Sequence, residues 1–185
     1  MTKQDKKMIW IAAALIIIAA LIKVLSFVKG YSFSPMIGLA VFSGAVMKDK
    51  KFAFVLPLFS MFLGDLFFEV FNITAGFYGW VQLVGYSILT IITIFGFNLK
   101  KFSPLNIAAF SISSSLIFFI LSNSSVWIFS NGYYAKNFSG FIDCLVAGIP
   151  FLKNGLVTDL VFSAILFGGY SLARQRSTDQ KTITG

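Results

Sequence analysis

The stretch from residue 149 to residue 169 constrains the fold more than any other part of the chain. It reads IPFLKNGLVTDLVFSAILFGG, so it is mostly apolar and has about the length, roughly 20 residues, that crosses a bilayer. It nevertheless carries Lys153, Asn154, Thr158 and Asp159. A charged side chain at membrane depth costs about 2.5–3.5 kcal/mol on insertion scales. A fold that contains this stretch must therefore pair these groups across helices or place them along a polar cavity.

The composition extends this argument to the whole chain. Of the 185 residues, 57% are hydrophobic and only 12% are charged. This balance excludes an ordinary soluble domain and indicates a polytopic membrane protein. The apolar runs are continuous rather than alternating, which favours helices over a transmembrane β-barrel. We therefore predict an all-α fold, a bundle of about six transmembrane helices.

Basic turns and prolines divide the chain into six apolar segments. The predicted spans are residues 8–25, 36–47, 52–71, 80–97, 104–129 and 150–172, with a short surface helix at 141–148. The first is interpreted as a retained span rather than a cleaved signal, and Lys23 near its outer end as a snorkelling side chain. Segment 36–47 is too short to cross easily, but its small residues would let a neighbouring helix approach closely. One transmembrane domain, 8–172, is thus predicted between two tails, 1–7 and 173–185.

The distribution of basic residues predicts the orientation. With the N-terminus inside, eleven of the fifteen Lys and Arg residues fall on the cytoplasmic side. The outer side keeps four of them, which are Lys23, Lys29, Lys136 and Lys153. The positive-inside rule then predicts six spans with both termini in the cytoplasm.

With this orientation, every intramembrane charge is expected in the outer half of the bundle. Asp65 and Glu69 are four residues apart and share one helix face. A rise of about 1.5 Å per residue puts Glu69 in one layer with Lys153, and Asp65 in a deeper layer with Asp159. The asymmetry predicts a polar pocket that faces the exterior and is closed toward the cytoplasm. The candidate substrate-binding residues are Asp65, Glu69, Tyr86, Asn123, Trp127, Lys153, Asn154 and Asp159.

Several of these residues also have a purely structural interpretation. Glu69 and Lys153 can form an ion pair near the headgroups, and Trp127 can be an interfacial anchor. Asp65 and Asp159 are harder to explain in this way. Two carboxylates at one depth repel each other, so one of them would be protonated or the two would share a cation.

The residue inventory bears on cofactors and catalysis. The chain has one cysteine, Cys144, and no histidine, so it forms no internal disulfide and has no histidine-ligated metal. Cys144 is interpreted as a small buried hydrophobic residue. We expect no cofactor. We also expect no enzymatic activity, because neither a nucleophile–base set nor a metal-ligand cluster appears.

Several runs resemble a known group of proteins. They are FSPMIGLAVFSGAV, LPLFSMFLGDLFF, FYGW, SNSSVWIF and IPFLKNGLVTDLVFSAILFG. They resemble an uncharacterised family, a domain of unknown function, of proposed bacterial transport proteins. That family is in turn similar to the substrate-binding S-components of energy-coupling factor (ECF) transporters. The resemblance covers about residues 32–168, and it implies a six-helix fold that holds its ligand near the outer face.

One feature departs from the pattern of the S-components. Those proteins usually carry alanines at four-residue spacing on the first helix, where the coupling subunit docks. Here Ala12 and Ala20 are eight residues apart, with Ile16 between them. Docking to an ECF-type energising module is therefore doubtful. Solitary cobalamin transporters of similar architecture use a cysteine as cobalt ligand, which invites a comparison with Cys144, but the comparison does not extend to an aligned position.

Together with the resemblance, which implies a bacterial inner membrane, these observations predict an S-component-like membrane protein. It would bind a small polar, vitamin- or cofactor-like solute from outside and mediate its uptake. Its expected partners are the lipid bilayer and that solute, not nucleic acid. One alternative is a proton- or Na⁺-coupled carrier or channel that uses Asp65 and Asp159. A second alternative is a non-transporting scaffold or complex subunit, in which the charges serve assembly alone.

Overall fold

The predicted all-α fold is confirmed. The computed structural model describes residues 3–29, 34–130 and 132–183, and side chains within 10–175 of these. The described chain forms six helices: α1 (Lys3–Val28), α2 (Met36–Val46), α3 (Lys50–Val70), α4 (Trp80–Gly96), α5 (Pro104–Phe129) and α6 (Phe138–Ile183). Four of them, α1, α3, α5 and α6, contain segments long and apolar enough to cross a membrane by length and composition, while α2 and α4 are shorter.

The short helix α2 lies at the centre of the bundle. It follows Pro35, has 11 residues and packs against α3, α4, α5 and α6. At about 1.5 Å per residue it is roughly 16 Å long, well short of a bilayer core. Its small residues allow the close approach expected from the sequence. A Cβ atom on Gly44 would lie 2.2 Å from the Thr93 carbonyl oxygen, and one on Gly96 would lie 2.8 Å from that of Val41.

The last helix differs from the prediction. The expected separate surface helix at 141–148 is wrong, because α6 runs without a break from Phe138 through Pro150 to Ile183. A proline inside a helix removes one backbone hydrogen bond. Packing against α5 compensates for it here, since Gly148 lies so close to α5 that a Cβ atom would be 2.6 Å from the Asn123 amide oxygen. The helix also extends into the predicted polar tail, 173–185.

The turns define two ends of the bundle. At one end lie the connections 47–49 and 97–103, with Lys48, Lys50, Lys51, Lys100 and Lys101. We call this the basic end. The end of α1, the connection 71–79 and the end of α5 lie at the opposite end. Contacts between helices agree with this arrangement, since Phe27 near the end of α1 packs on Phe68 near the end of α3, with ring centroids 5.0 Å apart.

The half of the bundle near the basic end is packed with aromatic side chains. Phe167 of α6 is 1% exposed and meets Phe42 of α2 with ring centroids 5.2 Å apart. Phe102, from the turn before α5, lies 5.3 Å from Phe167 and 5.9 Å from Tyr170, again between centroids. Leu39, Leu89 and Ile92 continue this core toward the middle of the molecule. We call this the packed half.

Candidate functional site

The opposite half contains two groups of buried polar side chains, and the first is built around Asp65 of α3. Asp65 is 3% exposed and forms an ion pair with Lys23 of α1. Its other carboxylate oxygen accepts hydrogen bonds from the Gln82 amide at 2.7 Å and the Tyr86 hydroxyl at 2.9 Å. Gln82 and Tyr86 lie four residues apart on one face of α4. We call Lys23, Asp65, Gln82 and Tyr86 the Asp65 group; it joins three helices.

Two glycines make room for the Asp65 group. A Cβ atom on Gly64 would lie 2.9 Å from Cδ of Lys23, so the glycine lets the lysine side chain pass over α3. A Cβ atom on Gly76 would lie only 1.9 Å from the Asp65 carbonyl oxygen. The Gly76 backbone therefore sits directly on α3, where its N–H donates to the Glu69 carboxylate at 3.0 Å and its carbonyl accepts from Gln82 at 3.1 Å. Loop 71–79 is held against the bundle in this way.

The second group is built around Asp159 of α6. Asp159 is 2% exposed, and the Ser115 hydroxyl of α5 lies 2.6 Å from its carboxylate. The same hydroxyl is 3.0 Å from the Ser111 carbonyl oxygen. A hydroxyl has one hydrogen, so it can donate to only one of these oxygens at a time. One turn further along, the Ser163 hydroxyl lies 3.2 Å from that of Ser111. We call Ser111, Ser115, Asp159 and Ser163 the Asp159 group.

A cavity of about 360 Å³ lies between the two groups. Lys23 reaches it from the Asp65 group, and Ser115 and Asp159 reach it from the other. Its remaining walls are largely apolar and aromatic, including Tyr78, Phe118, Phe119 and Phe151. A cavity of this volume, with apolar walls and few convergent polar groups, has the usual character of a small-molecule site.

Tyr78 brings a further hydroxyl to the cavity wall from loop 71–79. Burial, together with the nearby Asp65 carboxylate, raises the pKa of the Tyr78 phenol above its ordinary value of 10.0. The phenol therefore remains protonated at neutral pH and can donate a hydrogen bond.

Four of the eight candidate residues from the sequence belong to the cavity or to the groups beside it. Asn123 and Asp159 line the cavity, while Asp65 and Tyr86 belong to the Asp65 group. Asp65 and Asp159 do not form one site, however. Asp65 bonds to residues of α1 and α4, and Asp159 bonds to α5. Of the two alternatives considered for this pair, protonation of one carboxylate or a shared cation, the second is not supported by the arrangement.

The other four candidate residues lie elsewhere. The predicted Glu69–Lys153 ion pair does not form between these two described side chains: Glu69 binds Gly76, and Lys153, like Asn154, is exposed on α6. The prediction failed because it used only the depth of the two residues and not the neighbours of their helices. α3, which carries Glu69, packs on α1, α2 and α4, whereas α6, which carries Lys153, packs on α5 and α2. Trp127 donates to the Ala135 carbonyl at 2.9 Å and packs on Phe141, so it holds the α5–α6 turn.

The sequence interpretation missed the central role of Lys23. This residue was expected to snorkel, but its side chain turns inward and pairs with Asp65. The sequence contained an indication of this role, because a lysine within an otherwise apolar span usually pairs with an acidic group inside the bundle. Cys144, in contrast, lies where a small hydrophobic residue was expected. It is 1% exposed, and its thiol lies 3.4 Å from the Asn123 carbonyl oxygen.

Comparison with known protein families gives one match. Residues 3–181 match a family described as Family of unknown function (DUF6580). Comparison with curated proteins and with solved structures found no match.

Proposed function

The chain belongs to this family of unknown function, DUF6580, and we propose that it is an S-component-like transport protein that binds a small polar solute for uptake. The observation that carries the proposal is the cavity of about 360 Å³, which has Lys23 of α1 and Asp159 of α6 in its lining. Charged groups within membrane helices are costly, and they commonly mark substrate or ion pathways. The predicted solute is vitamin- or cofactor-like, and the proposal assigns no catalytic step to the site.

We propose that the cavity faces the exterior of a bacterial inner membrane. Support comes from the charges at the ends of the bundle, since the basic end carries Lys48, Lys50, Lys51, Lys100 and Lys101. The positive-inside rule assigns such turns to the cytoplasm, together with both termini. The aromatic packed half would then separate the bound solute from the cytoplasm until a conformational change opens a path.

Docking to an ECF-type module is not part of this proposal. In α1, Ala20 is 0% exposed and Ile16 is 8% exposed, so the stripe that includes both faces the other helices. A partner that docked on this stripe would first have to displace them. An energising partner would therefore have to dock on a different surface, or uptake would have to be driven by a different mechanism.

A proton- or Na⁺-coupled carrier is the second candidate function, and in this case Asp159 alone would bind the coupling ion. Asp65 already forms an ion pair with Lys23 and accepts two further hydrogen bonds, so it is poorly suited to bind a coupling ion. Asp159 is buried beside serine hydroxyls, which are oxygen ligands of the kind that hard cations prefer. The scaffold interpretation is less favoured, because it gives no reason for a cavity of this volume.

Native mass spectrometry of detergent-purified protein tests the proposal. We expect a small organic molecule to co-purify with the wild-type protein and to appear as a bound mass in the spectrum. Gly155 lines the cavity, and a Cβ atom there would meet nothing within 4 Å, so Gly155→Leu should fill the cavity without disturbing the fold. Gly169 on the same helix is exposed and equally unobstructed, which makes Gly169→Leu the matched control.

The expected pattern is a bound molecule in the wild type and Gly169→Leu but not in Gly155→Leu. A bound molecule that persists in folded Gly155→Leu, or lipid as the sole adduct of all three proteins, would reject the cavity as a solute site. Proton- or Na⁺-dependent flux in liposomes without any organic ligand would favour the carrier instead.

A further inference from the structure

The charges around the cavity are not balanced, and this points to the class of solute. We propose that the ligand is a small organic monocation with an apolar body, whose charged group binds Asp159. The inference rests on the proposed function, because it assumes that the cavity holds a solute. It goes further by assigning a charge, a shape and a contact residue.

The positive charge at the cavity wall is already compensated. The Lys23 ammonium group is paired with Asp65, and its side chain is only 18% exposed. Asp65 in turn accepts hydrogen bonds from Gln82 and Tyr86. An anionic ligand would have to compete with this carboxylate for Lys23 and would leave Asp65 partly unpaired in a buried place, which is unfavourable. The Asp65 group therefore contributes no net charge to the site.

The Asp159 carboxylate has no comparable partner. Its neighbour in the described part of the chain is the Ser115 hydroxyl, which is also within reach of the Ser111 carbonyl oxygen. No lysine within residues 10–29, 34–130 and 132–173 forms an ion pair with it. A buried carboxylate with a single shared hydroxyl leaves most of its lone pairs unsatisfied. A ligand cation that donates hydrogen bonds would supply what is missing.

The other walls suit the rest of such a ligand. Phe118, Phe119, Phe151 and Tyr78 line the cavity, and aromatic rings attract organic cations through their faces. They also provide apolar contact for a hydrocarbon body. The volume of about 360 Å³ lies toward the lower end of the range for small-molecule sites, about 300–1,000 Å³. An amine or ammonium compound with one ring fits these conditions.

Three probes of one shape and different charge test the inference. They are 2-phenylethylammonium, 2-phenylethanol and phenylacetate, titrated by calorimetry into protein in nanodiscs at one pH. We expect the ammonium compound to bind at least roughly tenfold more tightly than the alcohol, and phenylacetate to bind most weakly. Gly155→Leu in matched nanodiscs separates binding in the cavity from partition into lipid.

Substitution of the carboxylate locates the preference. Asp159→Asn should weaken binding of the ammonium compound by roughly ten- to a hundredfold and leave that of the alcohol nearly unchanged. Asp143→Asn is the matched control, because Asp143 is an exposed carboxylate on the same helix away from the cavity. Its removal should change neither affinity.

The outcomes separate the two proposals. Tighter binding of the alcohol or of phenylacetate, no detectable binding of the ammonium compound, or an unchanged cation preference in Asp159→Asn overturns the monocation inference. The proposed function survives any of these results if native mass spectrometry still finds a solute that Gly155→Leu excludes. It fails separately, if that solute is absent.

Discussion

The two halves of this bundle are built from the same helices by different means. In the packed half, α2, α4 and α6 meet through glycines and aromatic rings, as at Gly44, Gly96 and Phe167. In the other half, the helices separate around a cavity, and two carboxylates are buried there, Asp65 of α3 and Asp159 of α6. The packed half consists of contacts that favour close approach, whereas the cavity half contains groups that are costly in an apolar environment.

The difference indicates that stability and binding depend on separate residues. Tight packing near the basic end can hold the helices in place while the other end remains hollow. The cavity half is itself divided, because the Asp65 group ties α1, α3 and α4 together and the Asp159 group is less completely bonded. We therefore expect the two carboxylates to respond differently to substitution, although they looked equivalent in the sequence.

The largest effect is expected from Lys23→Met, which leaves Asp65 as a buried charge without its cation. Removing one partner of a buried pair costs about 3–5 kcal/mol, and the lower end applies because Lys23 is partly exposed. Thermal unfolding in detergent should show a large loss of stability. Adding Asp65→Asn to Lys23→Met should recover part of it. A double variant as unstable as the sum of the two single variants would show that the pair contributes no coupling.

A somewhat smaller effect is expected in the packed half. Gly44→Ala places a Cβ atom against the Thr93 carbonyl oxygen, where backbone must move to make room. Overpacking of this kind costs about 1–3 kcal/mol. The unfolding temperature should fall, while solute affinity per folded molecule stays unchanged. Gly169→Ala, at an exposed position of α6, is the control and should be neutral or stabilising. Loss of solute affinity in folded Gly44→Ala would contradict the separation of the two halves.

The smallest effect on stability is expected from Asp159→Asn. An uncharged side chain of similar shape can keep the contact with Ser115 and avoids the burial of a charge. We expect the free energy of unfolding to change by less than about 1 kcal/mol, in either direction. The same substitution at Asp65 should be clearly destabilising, because it leaves Lys23 without its counter-charge. Equal losses at both positions would remove the distinction between the two polar groups.

The sequence predicted an all-α fold with about six apolar helices, because apolar runs and basic turns report these directly, but the separate helix expected at 141–148 is part of α6. It also identified Asp65, Tyr86, Asn123 and Asp159 as residues near one another in depth. It did not predict which helices are neighbours. Depth along the membrane normal follows from residue count, but the position around the bundle follows from helix packing, such as the Gly44–Thr93 contact. For that reason Lys23 was not recognised as the partner of Asp65.

The proposed orientation leaves one half of the bundle open to the exterior and the other half closed. Single cysteines in a Cys144→Ala background test it, with an impermeant thiol reagent applied to intact spheroplasts. Thr74→Cys in loop 71–79 and Lys48→Cys at the basic end, both exposed positions, are the references for outside and inside. The two test positions are Ser122, on the cavity wall, and Ser163, which is 0% exposed.

Cysteines at positions 74 and 122 should react from outside, whereas those at positions 48 and 163 should not. Lys48→Cys should react once the membrane is permeabilised, and Ser163→Cys should remain unreactive in folded protein. Labelling of position 48 from outside would show that the proposed orientation is inverted. Labelling of position 163 in intact cells would contradict closure of the cavity beyond Asp159, on the side of the packed half. Protection of position 122 alongside a reactive position 74 would contradict a cavity that opens to the exterior.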